Sequence, residues 1–369
     1  MERLCLCFAA VAVVMLMTTA PRSARAGIAE QAEQAARREP ARIYAADPAQ
    51  SPVPSRMLTF SQLIERLEHA EVVFLGEQHG DPATHRMQLQ ILRALDRARG
   101  GAVTLSMEQF ERDVQPLLTA YLSGEIDEEE FLAGSRPWPN YDPDYRQLVE
   151  YCRGRSLPVV AANIPRPLAS RVAQEGFEAA WAGYTPEERQ WIAMQTVHPE
   201  DAYWELFRLA MGLGGEAEGD AHGMGLDEAK VAGYYAAQCL KDDTMAESIA
   251  LQVGSQPLRL VVHTNGSFHS DYGLGTPQRL PAWIPRERVM TVAIRPLSSW
   301  CDTYPDTELL PPTAARAQTG DADAIWPLAD YIVFVKGPDW GSDEAVPPTP
   351  RDEEAEGEAE AETPPMPAG

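Results

Sequence analysis

Six short apolar runs punctuate the chain, and each is separated from the next by longer stretches of helical spacing. They are EVVFLG (71–76), GAVTLSM (101–107), SLPVVAAN (156–163), LRLVVHTNG (258–266), RVMTVAIRP (288–296) and DYIVFVKG (330–337). Runs of four to eight apolar residues with no polar alternation suit strands buried on both faces. Helices between such strands act as crossovers, so the pattern predicts an α/β fold, an open and mainly parallel sheet of about six strands with flanking helices. Ahead of the first run, TFSQLIERLEHA places Phe60, Leu63, Ile64 and Leu67 at helical spacing behind a Thr59 N-cap. PATHRMQLQILRALDRA opens with Pro82 at its first turn. Helices are also expected over 112–123 and 142–154, and from Pro165 to about Ala173. From about 177 to 250 the spacing is helical throughout, apart from the glycine-rich GLGGEAEGDAHGMG (212–225), which predicts a helical insert.

The ends of the chain differ from this body. Residues 1–26 combine an early Arg3, an apolar run and Ala24-Arg25-Ala26, the pattern of a secretory signal peptide cleaved before Gly27. The apolar run is short for a membrane span, and an uncleaved anchor is the other reading. A periplasmic or secreted protein is therefore expected. Residues 27–56, rich in Ala, Gln, Arg and Pro, read as a flexible N-terminal arm, and 57–337 as the α/β domain. Residues 338–369 are rich in Pro and Glu and are expected to be disordered. The net charge of −24 divides into −9 in that tail, +2 in the signal segment and −17 in residues 27–337. So acidic a body argues against a nucleic-acid partner and against docking on anionic lipid. Cys152, Cys239 and Cys301 remain after cleavage with no CxxC spacing, which removes the common zinc and redox motifs. One disulfide with a leftover thiol and three isolated thiols are both open.

The polar residues that carry chemistry stand where the apolar runs stop. Glu77 and His79 follow the first, Glu108 the second, Asn163 the third and His269 the fourth. In an open parallel sheet the carboxyl ends of the strands share one edge, and ligands bind in that crevice. Gly76 is expected to turn the chain sharply and lift Glu77 and His79 to that edge. Two histidines with two glutamates can hold a divalent metal such as Zn²⁺, Mn²⁺ or Fe²⁺ through Glu77, His79, Glu108 and His269. Without metal the same groups suit acid–base catalysis, with Glu77, His85 or Glu108 as the candidate catalytic groups. His85 lies on the helix after Pro82 and faces either the crevice or solvent. His69 reads as surface, and His198 before Pro199 as a helix cap. In the insert, His222 in the glycine-rich loop and Tyr234-Tyr235 on the next helix are all side chains able to ligate haem iron. The absence of CxxCH excludes covalent haem attachment.

Five stretches in order, LGEQHGDPATHRMQLQIL, LSMEQF, VVAANIPRPLASRVA, AHGMGLDEAKVAGYYAAQCLKDDTMAESI and NGSFHSDYGLGTPQRL, resemble the ChaN-like haem-binding lipoprotein family over roughly residues 58–295. The two Gly-x-x-His elements, Gly76–His79 and Gly266–His269, are more distantly similar to the Tiki and TraB metalloprotease-like group and to erythromycin-esterase-like proteins. The resemblance implies an α/β fold with a small helical subdomain, haem as cofactor, a homodimer linked to haem binding, and a place in haem or iron uptake at the cell envelope. Glu77, His79, His85, Glu108 and His269 match the family's motif positions, and His222 matches a family histidine. This chain departs at Thr84, where the family has a second His, and at Gly223, where Cys is common. It also lacks the family's lipobox, so membrane attachment is not implied. The strand-end cluster and the insert's haem ligands are expected to form separate, neighbouring sites. Two functions follow: an exported haem-binding protein, or a metal-dependent hydrolase built on the strand-end Glu/His cluster.

Overall fold

A computed structural model describes residues 41–47, 51–213, 228–297 and 328–337. The predicted strands are present as β3 (Val72–Glu77), β4 (Val103–Glu111), β5 (Val159–Asn163), β6 (Leu260–Gly266), β7 (Val289–Leu297) and β8 (Tyr331–Lys336). They form one parallel array in the order β8-β7-β3-β6-β4-β5. Every residue of β3, β5 and β6 is buried, which is why their sequences show no alternation.

Two strands extend this array on the β8 side. β1 (Ala41–Asp47) pairs antiparallel with β8 and with β2 (Ser51–Leu58), giving eight strands. This corrects the expectation of a loose arm for the part of 27–56 that the structure describes. Ile43 and Ala45 face inward and are buried, an alternation too short to stand out among Ala and Pro. Pro52 and Pro54 fall in β2, and an edge strand is where a sheet tolerates proline. Residues 1–40 and 338–369, with the signal-peptide and tail expectations, lie outside the described residues.

Helices cover both faces. α1 (Phe60–Leu67) buries its four predicted apolar residues behind a Thr59–Gln62 capping box. α2 (Pro82–Ala98) is capped by Asp81, whose carboxylate accepts from the Thr84 N–H, and packs Met87, Ile91, Leu92 and Leu95 into the main core. α3 (Gln115–Ser123), α4 (Glu128–Ser135) and α5 (Arg146–Arg155) lie between β4 and β5. α6 (Arg166–Glu175), α7 (Phe177–Gly183), the single turn α8 (Pro186–Arg189), α9 (Ala202–Ala210) and α10 (Glu228–Ser255) follow β5. At 1.5 Å per residue the 28-residue α10 is about 42 Å long. Its first half joins the insert's core through Val231 and Tyr235, and its second half packs Ile249 and Val253 on β3 and β6. It is the strut that fixes the insert to the sheet.

The insert is not helical throughout. Between α8 and α9 the chain runs irregularly because α10 side chains satisfy its backbone: Glu247 accepts from the Met194 N–H and Asp243 from the Val197 N–H. The cap of α9 is Asp201, accepting from the Tyr203 and Trp204 N–H groups, and not His198, whose ring rests near Phe177. His69 is exposed, as expected. Cys152 and Cys239 are free and buried in different clusters, while Cys301 lies outside the described residues.

Candidate functional site

β6 lies between β3 and β4, with Glu77 in register with Gly266 and Met107 in register with Thr264. Glu77 at the end of β3, Glu108 within β4 and the Gly266–His269 turn after β6 are therefore neighbours at one level of the sheet. Two glycines let them interlock. A Cβ on Gly76 would sit 2.8 Å from the Ser270 hydroxyl, and one on Gly266 would sit 2.6 Å from His79 Nε2. Each Gly-x-x-His element thus makes room for the other. Gly76 is not the turn expected of it; it continues β3, and the left-handed turn falls at Gly80 with φ of 74°.

Glu77 is only 1% exposed, so it is buried at the edge and not lifted clear of it. Its Oε1 accepts from His79 Nδ1 at 2.9 Å, from the Tyr145 hydroxyl at 2.7 Å and from Gln109 at 3.2 Å. Its Oε2 accepts from Gln88 at 2.7 Å. Four donors make a buried carboxylate tenable, since hydrogen bonds replace the lost hydration. His79 remains half-exposed at the cleft, its ring edge-on to Trp138 at 5.2 Å. The hydrogen bond to Glu77 raises its pKa, against an opposing effect of burial.

The second group is a line of charges. His269 Nε2 lies 3.2 Å from Glu108, and His269 Nδ1 donates to Asp242 at 2.7 Å. Glu108 also accepts from the Gly266 N–H at 2.6 Å. Burial would lower the His269 pKa, but two flanking carboxylates overturn that and raise it to about 10. Burial likewise works to push Glu108 up, and the His269 charge and the Gly266 N–H hold it well below the usual carboxylate range. At neutral pH this is an imidazolium clasped between two carboxylates. Asp242, wholly buried, also accepts from Thr276 at 2.7 Å and from the Tyr203 hydroxyl at 2.8 Å.

The strand-end residues converge as the spacing predicted, but as two hydrogen-bonded groups. Among the described residues no three His, Cys, Asp or Glu side chains are arranged to hold a metal ion. His269 has both ring nitrogens directed at carboxylates, Glu108 and Asp242, so neither points to an open ligand position. The site as built does not fit the expected divalent metal. His85 faces neither crevice nor solvent: it is fully buried, donating to Gln88 Oε1 at 3.1 Å, with Nε2 3.5 Å from Asp144. It reaches Glu77 through Gln88 and supports the site from below. Asn163 ties β5 to β4 by donating to the Glu108 carbonyl at 3.1 Å.

A cleft of about 590 Å³ opens over these groups. Its floor includes Glu77, His79, Glu108, Gly266 and His269, and its walls include Trp138, Phe207, Met211 and Phe268. Gln238 and Lys241 of α10 complete one side, and Arg166 lies on the lining. The insert thus contributes Phe207, Met211, Gln238 and Lys241 to the cleft over the strand ends. Tyr234 and Tyr235 do not line it. Tyr235 packs among Trp204 and Phe207, its hydroxyl donates to the Pro199 carbonyl at 2.8 Å, and burial pushes its phenol pKa far up. His222 lies outside the described residues.

Asp242, Tyr145, Gln88 and Gln109 escaped the sequence reading. The acidic pair Asp242-Asp243 in the middle of a long apolar-faced helix was the available signal, because a buried helix carries charge there only when it has partners. His263, also missed, is a core residue 2.9 Å from Ser106, kept neutral by burial that lowers its pKa to about 3.

A family model described as "Haem-binding uptake, Tiki superfamily, ChaN" matches residues 63–280. ChaN of Campylobacter jejuni, solved with cofacial haem, is similar in fold: the TM-score is 0.53 at 17% identity, over 80% of this chain and 98% of that one. An erythromycin esterase mutant in its open conformation gives 0.43 at 12% identity, over 83% and 100% of the two chains. RETICULATA-RELATED 5, a chloroplastic protein of Arabidopsis thaliana, is 26% identical over 245 residues, 63% of this chain and 32% of that protein. This chain thus spans about a third of that relative's length.

Proposed function

Because the chain belongs to the ChaN haem-binding uptake family of the Tiki superfamily, we propose that it is an exported protein that binds haem in the cleft over the strand ends and serves haem or iron uptake. The observation that carries this reading is the lining of that cleft. A porphyrin is a flat apolar disc with two carboxylates at one edge. Trp138, Phe207, Met211 and Phe268 offer apolar walls, and Arg166 and Lys241 offer cations to the propionates within a chain of net charge −24. The volume of about 590 Å³ falls in the range of ligand clefts. Bound haem would supply an iron centre able to take axial ligands from the protein. His222, which matches a family histidine, stays in the proposal as one such ligand. Tyr234 and Tyr235 do not.

Export through residues 1–26 to the periplasm or medium, and a homodimer, belong to the same proposal. Titrating the purified protein with hemin should give a Soret band that saturates at a fixed stoichiometry. Binding no stronger than that of an unrelated acidic protein would end the haem reading. The metal-dependent hydrolase is the weaker alternative, because Glu77 and Glu108 already accept several hydrogen bonds and both nitrogens of His269 face carboxylates. Elemental analysis of protein prepared without chelators tests it.

A further inference from the structure

We propose that the edge of the sheet opposite the cleft docks on an anionic lipid surface. The proposal is independent of the haem reading. Five segments lead into the parallel strands, at 66–71, 96–101, 153–157, 255–259 and 284–288. The register sets them side by side: Val72 of β3 stands level with Val261 of β6 and Val289 of β7, Val103 of β4 with Leu260, and Leu105 with Val159 of β5. Together the segments hold eight arginines and four Asp or Glu, in a chain of net charge −24. Asp330, paired with Arg286, offsets one more arginine, which leaves a surplus of three positive charges. Arg99 donates to the carbonyls of Glu68 at 3.1 Å and Leu258 at 2.8 Å, and Arg259 to those of Gly101 at 3.1 Å and Val103 at 2.8 Å. Backbone carbonyls hold a guanidinium in place without neutralising it.

Arginines at helix C-termini are ordinary, since they complement the helix dipole. What sets this edge apart is the apolar side chains exposed among them. Leu258, whose carbonyl Arg99 holds, is 83% exposed, and Trp283, shortly before β7, is 57% exposed. The Trp283 ring reaches to within 3.7 Å of where a Cβ on Gly254 would lie, in the last turn of α10, so the two side chains project from neighbouring turns. A tryptophan and a leucine ringed by cations match a lipid interface: the indole sits at headgroup level, the leucine enters the acyl boundary and the guanidiniums meet lipid phosphates. The acidity of the whole chain does not forbid this. The six residues of β3, at about 3.3 Å each, set the two edges about 20 Å apart. At physiological salt charges are screened over about 8 Å, so a bilayer senses mainly the near edge. Docked this way, the protein keeps its cleft facing away from the bilayer.

The test is co-sedimentation of the full-length chain with vesicles of mixed phosphatidylglycerol and phosphatidylcholine, and with vesicles of phosphatidylcholine alone. Binding to the anionic vesicles should saturate and should weaken as salt rises, and the neutral vesicles should retain little protein. Arg97→Glu, at an exposed position in the last turn of α2, should weaken binding by more than about tenfold, because each cation near such a surface contributes about fivefold and the reversal removes two such contributions. Leu258→Ser combined with Trp283→Ser should weaken it comparably. Lys230→Glu, near the far end of the 28-residue α10, should leave it unchanged. All four positions are exposed, so the variants should melt with the wild type. Wild type that ignores anionic vesicles, or vesicle binding that neither edge variant weakens, would overturn the proposal. Self-association abolished by the edge variants, with no vesicle binding, would overturn it too and make this edge a contact between copies of the chain.

Discussion

Asp242→Ala should be among the most destabilising single substitutions in this protein. The carboxylate is wholly buried and accepts three hydrogen bonds, from His269 Nδ1, the Thr276 hydroxyl and the Tyr203 hydroxyl, at 2.7, 2.7 and 2.8 Å. These partners come from the turn after β6, the loop beyond it and α9, so one side chain of α10 joins three segments. Removing one member of a buried ion pair costs about 3–5 kcal/mol, because the other charge stays buried. Each buried hydroxyl left without an acceptor adds about 1–3 kcal/mol before relaxation. The contributions share an atom centre and do not simply add, so a total near 4 kcal/mol is expected, a large part of the about 5–15 kcal/mol that holds a typical domain. Urea unfolding followed by circular dichroism and tryptophan fluorescence measures it. Asp242→Asn, which keeps an acceptor oxygen, should lose less. A loss under about 1 kcal/mol for Asp242→Ala would refute the reasoning. So would strict additivity of Asp242→Ala with His269→Ala, because residues sharing a buried hydrogen bond must couple.

The charge line predicts a pH profile. His269, raised to about 10 from 6.5, contributes stability that is complete below pH 6.5 and disappears as pH climbs through 10. Glu108, lowered from 4.5, contributes stability that is complete above pH 4.5 and disappears as pH falls through its folded pKa. The gap in melting temperature between wild type and His269→Ala should be widest between pH 4.5 and 6.5 and should narrow toward pH 10; a constant gap would contradict the assignment. Gly266→Ala should drive the His79 ring off its seat, weakening hemin binding at a stability cost of about 1–3 kcal/mol, compared by parallel titration and thermal melts. Cys152 and Cys239 are buried, and burial pushes the Cys239 thiol pKa up to about 12, so a thiol reagent should reach both only after denaturation. Rapid labelling of either in the native protein would show that the core around α5 or α10 opens readily.

Much of this architecture is legible in the linear chain because burial has a local signature. Strands covered on both faces read as unbroken apolar runs, and all six were visible; the Thr59 cap and the stripe of α1 follow from spacing alone. Glu77, His79, Glu108 and His269 could be picked out because each stands where such a run ends. Tertiary structure decided what those residues do. Strand order is non-local, and only the placement of β6 between β3 and β4 turns four strand-end side chains into neighbours. The partner that charges His269 sits on α10, and no periodicity relates Asp242 to a turn 27 residues away. The role of each glycine depends on what crosses it: Ser270 at Gly76, His79 at Gly266. Tyr235 had the right chemistry for an iron ligand, yet its side chain is spent inside the insert. β1 escaped notice because its place in the sheet comes from β8, nearly 300 residues further along, and β2 joins the sheet only through β1. Residue type and spacing state which groups a chain can offer, while hydrogen-bond partners and solvent access, set by packing between distant segments, state which are still free to act.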